Sequence, residues 1–474
     1  VKEQVITDLK KILGPRWVDD DLERVEQYSK DHTLQSYGLV APAPAGENLV
    51  VKPGNTREVS EVMRYAYARN LPVIPRGAGT ALASNSVPSQ SSIILSLERM
   101  NRVLEVDDVN LVVTCEAAVS LGDLIGYLKG KDKLYFPLHP GDEGAQVGGM
   151  VAMNAGGVRA VRHGVMRDQI RGLEVVLPDG EIIQTGGKMG KLAKDNAGLN
   201  LMQLLIGSEG VLGIITRAML KVYPEPSYTA TLIASFARRS SAFRAVPRLI
   251  KEGIMPMAVE YVERDQIITT ARDLGKEWPA KEGEGDLIII MAEKSEDDFY
   301  SLANGIDKIC TEEGATDILM ADSAEEQKEI IEIRSHILPA IEDQIVDSPD
   351  ITVPRSKLEE ILDFLDSLAE KYRTRIPVLA HAGDGNLHTF IIKENGQVPS
   401  FYEELKEAMY KKTLELGGTI TGEHGIGSLR RGELNLQFSD RELEIMWGIK
   451  KVFDPKNLLN PGKKVFPPHT GKNL

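Results

Sequence analysis

In the stretch NLVVKPGNTREVSEVMRYAYARNLPVIPRGAGTAL, the apolar residues Val59, Val62, Met63 and Ala66 recur at helical spacing between two short β-rich runs. The pattern predicts strand, helix, strand and a glycine turn. Asn55 and Glu58 stand three residues apart at the helix start, the spacing of a capping box. Short strands and glycine-rich turns continue through residues 93–225, and the segment Pro224 to Pro226 marks a boundary. From Tyr228 the texture changes. YTATLIASF, PMAVEYVE, GDLIIIMAE and ATDILMA read as strands separated by amphipathic helices, which predicts an α+β layer with helices on one face of a mostly antiparallel sheet. The polar run GKEWPAKEGEGD reads as a solvated connection. The tail DRELEIMWGIKKVFDPKNLLNPGKKVF reads as a capped helix followed by turns, with enough apolar residues to dock onto a domain.

A chain of 474 residues exceeds one ordinary core, so two main domains are expected. The formal charge of −14, without a long block of one sign, argues against a nucleic-acid groove and a polybasic membrane patch. No apolar run approaches the length of a membrane span, and the amphipathic start VKEQVITDLKKIL has no signal-peptide core; both lead to an expectation of a cytoplasmic protein. The chain has two cysteines, Cys115 and Cys310, too few for an iron–sulfur site. Any electrons this chain moves must leave through another carrier.

PRGAGTAL (75–82) follows a predicted strand but departs from a nicotinamide fingerprint, because Leu82 replaces the third glycine and no acidic ribose ligand follows at the expected distance. By itself it is equally well a tight turn. HPGDEGAQVGGMVAMNAGG (139–157) then brings six glycines into one run, allowing backbone to approach a flat or phosphorylated ligand. IGSEGVLGIIT (206–216) adds a third glycine-rich turn.

PRGAGT, GAQVGGMVAMNAGG, GSEGVLGIIT, HAGDGNLH, GEHGIG and NPGK follow one another in an order that resembles the FAD-linked D-2-hydroxyacid dehydrogenases of the vanillyl-alcohol oxidase flavoprotein superfamily. The resemblance runs from about Asn48 to Phe466. It implies a two-domain FAD-binding fold of the vanillyl-alcohol oxidase type, α+β in class. Residues 1–225 would bind FAD, 226–430 would form an antiparallel-sheet substrate cap, and 431–474 would pack back on the FAD domain. It nominates Arg76, Gly77, Ala78, Gly79, Thr80, Gly148, Gly149, Ala155, Gly156, Gly157, Ser208, Glu209, Gly213 and Ile214 as FAD-binding residues. Relatives usually carry Tyr-Gly where this chain has His163-Gly164; His163 is read as a solvated loop histidine in preference to a covalent flavin tether.

HAGDGNLH (381–388) holds two of the eight histidines in the chain. RIPVLA before it and LHTFII after it are strand-like, so a two-residue Asp384-Gly385 turn would pair residue 381 with 388 and put both imidazoles on one face. Glu423, beside His424 in TGEHGIGSLRRG, offers a third ligand. The set His381, His388 and Glu423 suits one divalent metal ion, Zn, Fe or Mn, with open coordination positions. Neutral His424 would take the substrate hydroxyl proton, and the resemblance implies that Asn386, by itself a turn residue, helps to orient substrate. Arg334 shares the apolar face of EIIEIRSHILPAIED with Ile330 and Ile337, and a charge there wants an anion; the resemblance implies a carboxylate-binding arginine on this helix, which nominates Arg334 as the partner of a substrate carboxylate, with Arg355 the weaker candidate.

These residues add up to FAD-dependent oxidation of a small D-2-hydroxy acid, D-lactate first and glycolate or D-2-hydroxyglutarate next. Electrons would pass to an external acceptor, an electron-transferring flavoprotein or an iron–sulfur subunit. Rival readings are a flavin oxidase using O2, a flavin-dependent transfer such as ether-lipid synthesis, a metal-dependent hydrolase whose glycine loops are only turns, and a non-catalytic FAD-carrying subunit.

Overall fold

The computed structural model describes residues 2–130 and 133–467. They form two compact units, one of residues 2–130, 133–155, 165–224 and 423–467, the other of residues 156–164 and 225–422.

The first unit contains two sheets. In the smaller, strands Leu49–Val51, Ile93–Ser96 and Val73–Arg76 run parallel, and Val18–Asp19 joins antiparallel at the edge. Parallel neighbours require a crossover, and helix Thr56–Arg69 supplies it, burying Val59, Val62, Met63 and Ala66. The Asn55 side chain accepts from Glu58 N–H at 3.0 Å, while the Glu58 carboxylate reaches back to Gly54 N–H at 2.7 Å, one residue beyond the expected capping box. The second sheet is antiparallel, in the order Val103–Asp107, Val112–Glu116, Ile214–Lys221, Ile170–Val176, Ile182–Thr185. Helix Val147–Met153 packs against its central strand, and Val113, Leu124, Val151, Leu173 and Ala218 belong to one buried cluster.

The C-terminal helix Asp440–Phe453 starts with a capping box between Ser439 and Glu442. Near its end, buried Lys450 donates to Asp454 at 2.6 Å, to Val211 O at 2.7 Å and to Leu459 O at 2.8 Å. One ammonium thus ties the tail to the 208–212 turn.

The second unit is built on a seven-stranded sheet in the order Ala315–Ala321, Tyr228–Phe236, Gly285–Glu293, Ala258–Glu263, Val378–His381, Asn386–Thr389, Asp350–Thr352. The neighbours with assigned register pair antiparallel. Tyr261 lies 4.5 Å, ring to ring, from Phe243 of helix Arg239–Lys251, so that helix covers the face carrying Tyr261. Glu260, one residue before, points to the other face, where Arg334 of helix Ala324–Ser335 meets it. The run 275–286, expected to be a solvated connection, instead buries Trp278 and Ala280; the indole donates to buried Asp286 at 2.8 Å, which makes a polar-looking loop part of the core.

The compact units depart in two places from the division expected at residues 225 and 430. Residues 156–164 belong to the second unit because Arg162 finds its acceptors there, Met255 O at 3.0 Å, Ala292 O at 2.6 Å and Glu293 at 2.6 Å. Residues 423–430 belong to the first because Ile426 and Gly427 N–H groups bind Glu209.

Lys450→Met would leave Asp454 buried without its cation and should lower unfolding free energy by about 3–5 kcal/mol. Urea unfolding of Lys450→Met beside the Lys450→Met/Asp454→Asn double variant checks this, the double variant recovering part of the loss.

Candidate functional site

In the first unit, the turn nominated to bind FAD follows strand Val73–Arg76 directly. Gly79 adopts φ +82°, and a Cβ there would lie 2.2 Å from the Arg76 guanidinium, so only glycine lets the turn fold over that side chain. Arg76 itself donates to Lys30 O at 2.7 Å. Gly77 and Thr80 are half-buried around it, and Ala78 is exposed. The turn faces the start of helix Val147–Met153: a Cβ on Gly77 would sit 3.8 Å from Gly149 Cα and 3.5 Å from Gln146 Oε1. Gln146 Oε1 is buried with no hydrogen-bond donor among the described residues, and a Cβ on Gly149 would meet none of their atoms within 4 Å. An orphaned acceptor beside a bare backbone cradle is the environment a dinucleotide would complete, so these residues fit FAD.

Other nominated residues serve packing. A Cβ on Gly148 would come within 2.7 Å of Ala117 Cβ, one on Gly213 within 2.5 Å of Val175, and Ile214 is buried at the start of its strand. Ala155 packs against the buried cluster, and Ser208 is buried in its turn. Gly156 and Gly157 are buried in the segment that joins the second unit, as is the short helix ending at half-buried His163.

Glu209 has a distinct place. Its carboxylate is buried, with backbone φ +54°, and it accepts from Asn85 Nδ2 at 2.7 Å, Ile426 N–H at 2.9 Å and Gly427 N–H at 2.7 Å. Lys464 lies 3.1 Å away, and Asn460 donates to Glu209 O at 2.7 Å. Lys463, which burial pushes down to about 8, donates to Ser428 at 3.0 Å. GSEG, GEHGIG and NPGK, far apart in sequence, thus converge on one glutamate.

In the second unit, the hairpin of HAGDGNLH differs from the expected one. His381 pairs with Asn386 and Leu379 with His388, so residues 382–385 form a four-residue connection. The reason lies in its glycines. Gly385 has φ +87° and its carbonyl accepts from Val353 N–H at 3.0 Å, where a Cβ would lie 2.2 Å from Val353 O; Gly383 N–H donates to Val259 O at 3.0 Å. Arg355, the weaker carboxylate candidate, donates to Gly383 O at 2.6 Å and clamps this loop. The register differs from the expected one by two residues, an even number, so His381 and His388 still share a face; their rings are 5.2 Å apart and nearly perpendicular.

Neighbouring strands add Glu260, Asn386 and Asp350 to that face. Asp350 lies opposite His388, with Oδ1 3.6 Å from Nδ1, and accepts from Asn386 Nδ2 at 2.7 Å and Thr421 at 2.9 Å. Glu260, 1% exposed, accepts from His381 Nδ1 at 2.8 Å and from Arg334. Burial alone would raise the Glu260 carboxyl, but His381 and Arg334 hold it below the ordinary carboxylate range. Glu260 was not among the residues nominated from sequence. Its signal was an acid in the apolar alternation of PMAVEYVE, a position that demands a buried cation. Arg334, nominated for a substrate carboxylate, has Nη2 on Glu260, while its buried Nε has no acceptor among the described residues. Half-buried Glu423 and His424 come next in the chain after Gly422, whose N–H binds Asp350 O at 2.9 Å.

Glu260→Ala would strand His381 and Arg334 without their anion. Urea unfolding should register a loss of about 3–5 kcal/mol for it and about 1–3 kcal/mol for Glu260→Gln, which keeps an acceptor oxygen.

Residues 48–186 match the family of FAD binding domains, and residues 225–464 match the C-terminal domain of FAD linked oxidases. The chain is 36% identical to D-lactate dehydrogenase of Archaeoglobus fulgidus over 95% of this chain and 99% of that protein. It is 33% identical to glycolate oxidase subunit GlcD of Bacillus subtilis over 98% of this chain and 96% of that one. The 4-ethylphenol oxidase of Gulosibacter chungangensis, in its isoeugenol complex, superposes with a TM-score of 0.78 at 16% identity, covering 99% of this chain and 98% of that one, a likeness of fold alone. The glycine cradle, the two-unit fold and these full-length similarities place the chain among the FAD-linked D-2-hydroxyacid dehydrogenases of the vanillyl-alcohol oxidase superfamily, as an FAD-dependent oxidoreductase.

Proposed function

We propose that this enzyme oxidises a small D-2-hydroxy acid, D-lactate in the first instance, to the 2-oxo acid and passes the electrons to a separate protein, an electron-transferring flavoprotein or an iron–sulfur subunit. The observation that carries the reading is the pair of imidazoles, His381 and His388, sharing one sheet face with rings 5.2 Å apart. Glu260 behind His381 supports it as well, since a ligating histidine commonly gives its other ring N–H to a carboxylate. Full-length similarity to a D-lactate dehydrogenase and a glycolate oxidase subunit supports the substrate class.

With Glu260 on Nδ1 of His381, Nε2 would be the ligand nitrogen. His381, His388 and Glu423 would hold one divalent metal, Zn, Fe or Mn, which would supply a Lewis acid for the substrate hydroxyl. FAD, cradled by the 75–80 turn and Gly149, supplies the acceptor for two electrons. His424, adjacent to Glu423, takes the hydroxyl proton as a neutral imidazole. Arg334, with its unused Nε donor, holds the substrate carboxylate, and Asn386, kept in place by Asp350 and Ile351 O, borders the same face. No helix among the described residues is long and apolar enough to cross a membrane, and both cysteines are buried thiols that burial pushes up to about 12; these features fit a protein partner and a cytoplasmic setting.

The deciding experiment is an anaerobic visible spectrum of the purified holoenzyme before and after D-lactate, with glycolate and D-2-hydroxyglutarate in parallel. Bleaching of the flavin bands by one of these acids is the expected result; bands that persist with all three remove the substrate assignment. His424→Gln should keep the flavin spectrum and lower the rate of bleaching by at least about 100-fold. His388→Ala should lose metal and activity together, and elemental analysis finding one metal per chain in that variant removes the ligand assignment.

A further inference from the structure

Strand Asp350–Thr352 is the last of the seven-stranded sheet and lies beside Asn386–Thr389, with Asp350 directly opposite His388. The Asp350 carbonyl goes to Gly422 N–H at 2.9 Å instead of across this pair, and the neighbouring bond runs from Thr389 N–H to Pro349 O at 3.1 Å. Residues 350 and 388 therefore form a non-hydrogen-bonded pair, the kind whose side chains come closest across antiparallel strands.

The Asp350 side chain is buried, with 2% of the residue exposed. Its Oδ1 accepts from Asn386 Nδ2 at 2.7 Å and lies 3.6 Å from His388 Nδ1, while Oδ2 accepts from Thr421 Oγ1 at 2.9 Å. An apolar residue would serve the strand pairing without the cost of burying a carboxylate, so the acid has a polar task. Its contacts point to two. Asn386 Nδ2 also donates to Ile351 O at 3.2 Å, which commits both amide protons and leaves Oδ1 as the group Asn386 can offer to a ligand. A flipped amide would set that oxygen against two acceptors, so Asp350 and Ile351 fix its orientation. The second task concerns His388. At 3.6 Å the contact is longer than a hydrogen bond and acts through charge, and a carboxylate this near favours positive charge on the imidazole or on an ion that it binds. Glu260 stands 2.8 Å from Nδ1 of His381, so each imidazole of the pair has an acid beside Nδ1.

We propose that Asp350 is a positioning residue of the histidine face, fixing the Asn386 amide and placing behind His388 a negative charge that favours a divalent cation on the two imidazoles. This role rests on the reading of His381 and His388 as metal ligands, and adds to it the residue that orients one ligand and the neighbouring amide together.

Titration of Zn²⁺ into the flavin-loaded protein after its own metal has been stripped, with a chelator as competitor, tests this role. Asp350→Asn keeps the size and one acceptor oxygen while removing the charge. It should bind Zn²⁺ about 10–100-fold more weakly than the unmodified protein, with the flavin spectrum and the urea midpoint of the metal-free protein retained. A lowered urea midpoint with unchanged Zn²⁺ affinity of the folded protein overturns the role, the acid then serving stability alone. If Asp350→Asn does not fold, Thr421→Val decides, because it keeps the acid and removes the hydroxyl that holds its other oxygen. A loss of about three-fold or more in Zn²⁺ affinity is expected there, and equal affinity overturns the role. No saturable Zn²⁺ binding by the unmodified protein removes the metal reading of the histidine pair and this role with it. Binding that Asp350→Asn matches in strength removes this role and leaves that reading standing.

Discussion

A carboxylate removed from water must be given cations or N–H donors, and Glu260 receives both, from His381 on the neighbouring strand and from Arg334 on a helix. Much of the histidine face follows from that constraint. The strand 258–263 must lie beside 378–381, because only adjacent strands bring residue 260 opposite 381. The helix 324–335 must lie over the same face for Arg334 to reach the acid. Once Nδ1 of His381 is given to Glu260, the ring's orientation is set by a residue outside the motif.

Glu209 shows the same physics in the other unit. A residue in the left-handed region that is not glycine carries a conformational cost, which the carboxylate offsets through two backbone N–H groups of the GEHGIG turn and an asparagine amide. Turns rich in glycine have little side-chain packing to define them. A buried anion that collects their N–H groups can define them instead, which is why such turns can be both open to ligands and well determined.

The elements were legible where periodicity was strong. The helix 56–69 and the alternating strands and helices after Tyr228 follow from apolar spacing, since local pattern and burial agree there. The shared face of His381 and His388 was legible too, for a reason of parity: an even slip in register preserves the face, so the relation survived a turn four residues long where two were expected. Long-range partners were hidden. Nothing in PMAVEYVE says that its first glutamate meets a histidine over a hundred residues away, and nothing in AVRHG says that Arg162 will leave its neighbours for Met255 and Glu293. Trp278, in a run that reads as solvent-facing, is buried because Asp286 needs its N–H.

Glycines explain why the histidine face tolerates so many polar groups in close quarters. Gly385 lets the hairpin loop meet Val353, and Gly422 lies where a Cβ would come within 2.4 Å of both Asn386 and Thr352. Removing side chains at these two points allows backbone to approach close enough for Asp350 O to take Gly422 N–H. The Gly-Asp-Gly and Gly-Glu-His-Gly motifs are thus two parts of one requirement. A chain that must bring two histidines, an aspartate and an asparagine onto one sheet face needs space for the backbone as well as the right side chains, and each glycine supplies that space where a larger residue would push a strand or loop away.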